Sequence, residues 1–96
     1  MKPAEFVYCN ESIPHHMWEP LTGYIERHEP VGHFLTALLS NDLRGAVGFA
    51  DNSNVRVLHV YVAYLNMHAP AVCWGNREAV AWWLARAVKP EAPTPG

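Results

Sequence analysis

Six histidines, His15, His16, His28, His33, His59 and His68, are the first residues with chemistry to offer. Zinc would need them at ligand spacing, and no HExxH, no CxxC and no His pair at i, i+4 on one helix occurs, so no metal site is expected. Such imidazoles ordinarily sit at helix ends and on half-buried surfaces. Nucleophilic catalysis is no better served: GxSxG and a Cys-His-Asn signature are missing, and the acids are scattered singly. The six glycines are dispersed, without a GxGxxG or a P-loop. Neither an enzyme nor a cofactor is expected.

Binding chemistry is better represented. Arg27, Arg44 and Arg77 are accompanied by the flat faces of Trp18, Tyr24 and Trp74, two of which lie close to an arginine in sequence. A formal net charge of -2 is too little positive charge for duplex DNA. A small anionic nucleotide asks for less, since one or two Arg or Lys contacts and an aromatic face can hold a phosphate and a base. Arg77, next to a helix cap at Asn76, is the best placed for phosphate because backbone N–H groups point outward there. Each arginine taken alone reads first as a solvated surface charge. Thr36 and the Ser40-Asn41-Asp42 triplet interrupt an otherwise apolar stretch. Either the Thr36 hydroxyl bonds a carbonyl and the triplet faces water, or these groups line an oligomer axis or a ligand pocket.

The elements that must position these residues read as helices. Ser12 as N-cap and Pro14 in the first turn predict a helix over Ile13 to His28, which Pro20 kinks or splits near Glu19, leaving Leu21, Tyr24 and Ile25 as an apolar stripe. Glu29-Pro30-Val31-Gly32 is a turn. Phe34, Leu35, Leu38, Leu39, Leu43, Ala46 and Val47 recur at three-and-four spacing and predict a second helix over about His33 to Phe49. Asp51-Asn52-Ser53-Asn54 offers caps for a third over about Val55 to Met67. Its β-branched residues permit a strand, but thirteen residues is long for one, and Leu58, Tyr61 and Leu65 share a helical face. Asn76 caps a fourth helix with Glu78 in its first turn and Val80, Trp83, Leu84, Ala87 and Val88 facing inward. Residues 1 to 12 read as an N-terminal arm in which Phe6, Val7 and Tyr8 are extended. Residues 13–89 form the helical domain, and the proline-rich residues 90–96 form a disordered tail.

Ninety-six residues leave room for one domain, and half of them are apolar at a mean hydropathy of -0.09, which predicts a folded chain. The uncharged stretch from Val57 to Asn76 contains His59, Asn66, His68, Pro70 and Asn76, so no membrane helix is expected. Pro3 and Glu5 stand where a signal peptide would turn apolar. This predicts a cytoplasmic protein with Cys9 and Cys73 as unpaired thiols. Four Trp, four Tyr and three Phe, with only sixteen charged side chains to cover the outside, predict apolar surface hidden by a second copy of the chain. The fold class expected is therefore all-α, a small domain of three to four helices with a kinked first helix, completed by homo-oligomerisation.

Gly32-His33-Phe34-Leu35-Thr36-Ala37-Leu38-Leu39-Ser40-Asn41-Asp42-Leu43, then Ala50-Asp51, Ala69-Pro70 and Cys73-Trp74-Gly75, resembles a family of small bacteriophage and prophage proteins. These share a GxFLTAxLxNDL core, an xAD turn, a Tyr-containing third helix and a CWG element before the last helix. Ile13-Pro14 and Tyr24-Ile25-Glu26 look like the start of the same pattern, and the likeness covers about residues 13 to 86. The group is read as including the phage anti-CBASS sponge proteins. That resemblance implies a helical hexamer in the host bacterial cytoplasm that sequesters cyclic dinucleotides between protomers and cyclic trinucleotides near a three-fold axis, without hydrolysis. It implies an aromatic and a basic residue for the first pocket, with Tyr24 or Trp18 as the aromatic and His33, Arg27 or Arg44 as the basic group. For the second pocket it implies Thr36 and Arg77. The alternative function is inhibition by direct docking on a host protein through exposed aromatics such as Trp82 or Trp18.

Overall fold

In the computed structural model, which describes residues 1–87, Cys9 and Asn10 both have positive φ (54° and 63°). That pair of left-handed residues closes a two-residue hairpin whose twist matches its strands. Strands β1 (Val7–Tyr8) and β2 (Glu11–Ser12) pair antiparallel, Val7 opposite Ser12 and Tyr8 opposite Glu11. The segment expected as an extended arm is thus a hairpin, preceded by a 3-10 turn at Pro3–Glu5. Phe6 is buried in the same core as the helices, its ring edge-on to Tyr64 at 5.3 Å and to His68 at 5.5 Å. The Tyr64 hydroxyl donates to the Met1 carbonyl at 2.5 Å, which fastens the N-terminus to the helix carrying Tyr64.

Ser12 is a strand residue rather than a helix cap, and Ile13 enters the core. A 3-10 turn at His15–Met17 leads into α1 (Trp18–Arg27), so the first helix begins later than its sequence suggests. The reason is Pro20. In a helix from Ile13 it would lie in the interior and remove a backbone hydrogen bond, whereas with α1 starting at Trp18 it falls in the first turn, where its missing N–H has no intrahelical acceptor to lose. Leu21 and Tyr24 face inward as expected, with Ile25 packed beside them. His28, in the left-handed region at φ 58°, ends the helix.

The expected second helix is two helices, α2 (His33–Leu39) and α3 (Leu43–Phe49). Asn41 takes φ 61°, its N–H donates to Leu38 O at 3.1 Å, and the Asp42 N–H donates to Ala37 O at 2.8 Å. These two bonds around a left-handed residue are a Schellman stop signal. Asp42 then caps α3 by accepting from the Gly45 N–H at 3.0 Å. The chain changes direction here, and Leu43 and Val47, expected inside, lie exposed. The third helix is likewise divided. Asp51 caps a short α4 (Asn52–Val55), and α5 (Leu58–His68) follows, confirming helix over strand. Buried Asn54 accepts from the Tyr61 hydroxyl at 2.5 Å and ties α4 to α5.

A 3-10 turn at Ala71–Cys73 precedes α6 (Arg77–Leu84), capped as expected by Asn76, whose side chain accepts from the Ala79 N–H at 2.7 Å. Gly75 has φ 116°, a conformation that favours glycine, and its N–H donates to Leu39 O at 2.7 Å, joining the turn to the end of α2. Val80 is buried, with Trp83 and Leu84 packed against the core. The chain is therefore mostly helical, with six α-helices among the described residues rather than three or four, around Leu21, Leu35, Leu39, Val60, Tyr61 and Leu65. Val88 and the end of the helical domain at residue 89, like the tail 90–96, lie outside the described residues. Among those described, no helix is long and apolar enough to cross a membrane, and both cysteines are free.

Candidate functional site

Tyr24 is fully buried and its hydroxyl donates to the Cys73 carbonyl at 2.6 Å. Burial pushes its phenol well above the ordinary range, and the Cys73 thiol adds to the effect. It is a core residue and presents no face to a ligand. Arg27 is exposed but committed: Nε bonds Glu29 at 2.9 Å, and Nη2 bonds both Glu29 and Glu19. Hydrogen bonds from Glu29 and then Glu19 hold its guanidinium even further above the usual range. A phosphate would have to displace two carboxylates there.

Trp18 is half-buried, with Nε1 donating to the Ile13 carbonyl at 2.8 Å and the His15 ring edge-on at 4.5 Å. It borders a groove with Lys2, Pro3, His15, Glu19 and Thr22. Thr36 is half-buried, and its hydroxyl donates to the Val31 carbonyl at 3.3 Å. Arg77 opens α6 with a guanidinium 75% exposed and 3.6 Å from the Asp42 carboxylate. An exposed pair of this kind contributes at most about 1 kcal/mol, so the arginine remains available to another anion. No hydrogen bond or ion pair joins Thr36 to Arg77 within the chain. Asp42 is also part of the rim of a small apolar groove between Leu38, Leu43, Leu58, Val62 and Trp74. Arg77 therefore stands beside the exposed apolar face that the break at Asn41 creates.

His33 is drawn into a different arrangement. Its ring lies nearly parallel to that of Phe49, 5.0 Å away at 24°, because the break folds α3 back along α2 and brings their far ends together. Both line a cleft of about 340 Å³ with His16, Asp51 and Asn54. His16 Nε2 lies 3.0 Å from Asp51 Oδ2, while Asp51 Oδ1 accepts from the Asn54 N–H at 2.7 Å and from the Ser53 hydroxyl at 2.9 Å. These bonds, the Asn54 N–H foremost, hold the Asp51 carboxyl below the usual carboxylate range. The cleft thus offers a fixed negative charge and a flat aromatic wall.

Of the six residues expected to bind a ligand, only His33 lies in this cleft. No family model, curated protein or solved structure matches the chain. Sequence reasoning missed His16, Phe49, Asp51 and Asn54. Asp51 and Asn54 stand out only as helix caps, and Phe49 only as the last residue of an apolar helix. His16 and Asp51 are 35 positions apart, so no local spacing announces their contact.

Proposed function

We propose that this is a phage anti-defence protein that binds cyclic di- and trinucleotides as a homo-oligomer and sequesters them uncleaved. The observation that carries the proposal is Arg77, a solvent-facing guanidinium at the edge of an uncovered apolar face formed by Leu43, Val47 and Val62. Covering that face with further copies of the chain would bring Arg77 from several protomers to one shared anion site, where symmetry multiplies a single contact. The resemblance to the phage family and its sponge proteins supports the same reading and supplies the ligand class. With Tyr24 in the core, Arg27 held by two carboxylates and His33 stacked on Phe49, Trp18 remains as the aromatic and the exposed Arg44 as the basic partner for the dinucleotide pocket. Incubation with a panel of cyclic nucleotides, followed by heating and analysis of the supernatant, is the test. Intact cyclic nucleotide released only on heating supports sequestration; cleaved product identifies an enzyme, and an unchanged panel with no uptake removes the proposal.

A second reading is favoured by Trp82. Its ring is 47% exposed on α6 and carries the Arg86 guanidinium 3.8 Å from its centre. Trp and Arg together are the residue types that dominate protein interfaces. In this reading the protein docks on a host protein through α6, and Trp82→Ala abolishes binding to that protein while nucleotide uptake is absent from the start.

A further inference from the structure

We infer that the cleft between His33–Phe49 and His16–Asp51 is the seat of an amino-bearing nucleobase, with adenine as the fitting type. The inference deepens the sequestration reading and rests on it for the ligand class, but the geometry selects which part of a nucleotide enters. Phe49 is 59% exposed, backed on one side by the His33 ring, which leaves an aromatic surface open to a planar group. Stacking on such a surface is available to any base. At about 340 Å³ the cleft lies near the lower end of ligand pockets, roughly 300 to 1,000 Å³, which suits one ring system rather than a whole cyclic dinucleotide.

Charge decides between base and phosphate. Asp51 keeps its carboxylate ionised, and a phosphate beside it would meet repulsion, whereas an exocyclic amine donates to it. Asn54 adds a second polar group. It is only 3% exposed, its side-chain oxygen is taken by Tyr61, and its amide nitrogen has no hydrogen bond among the described residues. An amine donating to Asp51 beside a ring nitrogen accepting from Asn54 is the pattern that an adenine edge presents. His33, expected as a phosphate contact, becomes part of the stacking wall.

The test uses a nucleoside, so that no phosphate contributes. Adenosine titrated into isotopically labelled protein should shift the backbone amide signals of His33, Phe49 and Asp51 saturably. Phe49→Ala, a change at an exposed position, should weaken that binding about tenfold, the loss of one stacking face. Purine riboside, which lacks the amine, should bind several-fold more weakly than adenosine. Shifts confined to other residues, no saturation, an unaltered Phe49→Ala variant or equal binding of the two nucleosides would each overturn the inference. So would amide shifts in the cleft that follow protein concentration and are indifferent to adenosine, because a second copy would then occupy it. Adenosine binding here without retention of cyclic nucleotides leaves this site standing and removes sequestration. Retention without adenosine shifts in the cleft does the reverse.

Discussion

Among the described residues the Tyr24 hydroxyl is the one hydrogen-bond donor to the carbonyl of buried Cys73, and Tyr24→Phe removes it. The expected loss of stability is about 1 to 3 kcal/mol, read as a lower urea midpoint with an unchanged slope, while nucleotide uptake is unaffected. The same neighbourhood sets the alkaline limit. Burial pushes the Cys73 thiol up from 9.0 to about 11 and raises the Tyr24 and Tyr61 phenols as well. Because the folded-state values are raised, the unfolded chain loses these protons first. Stability from these groups is complete below pH 9 and falls as pH rises through about 11, with the phenols extending the decline further. Urea midpoints at pH 8 and pH 10.5 should show the fall, and Cys73→Ala should flatten the part of it between pH 9 and 11. At this scale sequence was a poor guide: a tyrosine suited to stacking and a tyrosine suited to a core are the same residue, and only burial separates Tyr24 from an exposed ring.

The break between α2 and α3 determines most of what the helices can do. Asn41 occupies the left-handed region at the Schellman turn, where glycine is unstrained and alanine is not. Asn41→Ala should cost about 1 kcal/mol and Asn41→Gly should leave stability unchanged or slightly raised, a contrast that thermal melts of the two variants would show. The periodicity of Phe34, Leu35, Leu38 and Leu39 was legible and correct, as was helix over strand for Leu58 to His68. What was not legible was the interruption. Leu43, Ala46 and Val47 continue the three-and-four spacing across Ser40-Asn41-Asp42, so hydrophobic pattern argued for one helix while the local chemistry of Asn41 and Asp42 argued for two. Local capping prevailed, with the Asp42 side chain capping the start of α3 and the Gly75 N–H bonding the Leu39 carbonyl at the end of α2. Pro20 misled in a related way: its position in a first turn depends on where the helix begins, and the hairpin that moves that start depends on Cys9 and Asn10. The cleft of His16, His33, Phe49 and Asp51 assembles from four segments and has no local signature.

For the molecule as a whole, the apolar excess seen in the composition reappears as exposed Leu43, Val47 and Val62 around the groove beside Trp74. If copies of the chain cover this face, a charge at its centre should prevent assembly. Leu43 is 70% exposed in the single chain, so Leu43→Glu should leave the fold intact while reducing the sedimenting species to the 10.8 kDa protomer. The most direct measurement of the central claim is sedimentation velocity of the protein mixed with a cyclic trinucleotide, followed at a wavelength where the nucleotide absorbs. The account predicts that nucleotide co-sediments with a species several times the protomer mass, that Leu43→Glu abolishes this, and that Arg77→Ala leaves the assembly intact but frees the nucleotide. A protein sedimenting at 10.8 kDa at high concentration, with all nucleotide remaining unbound, would contradict it.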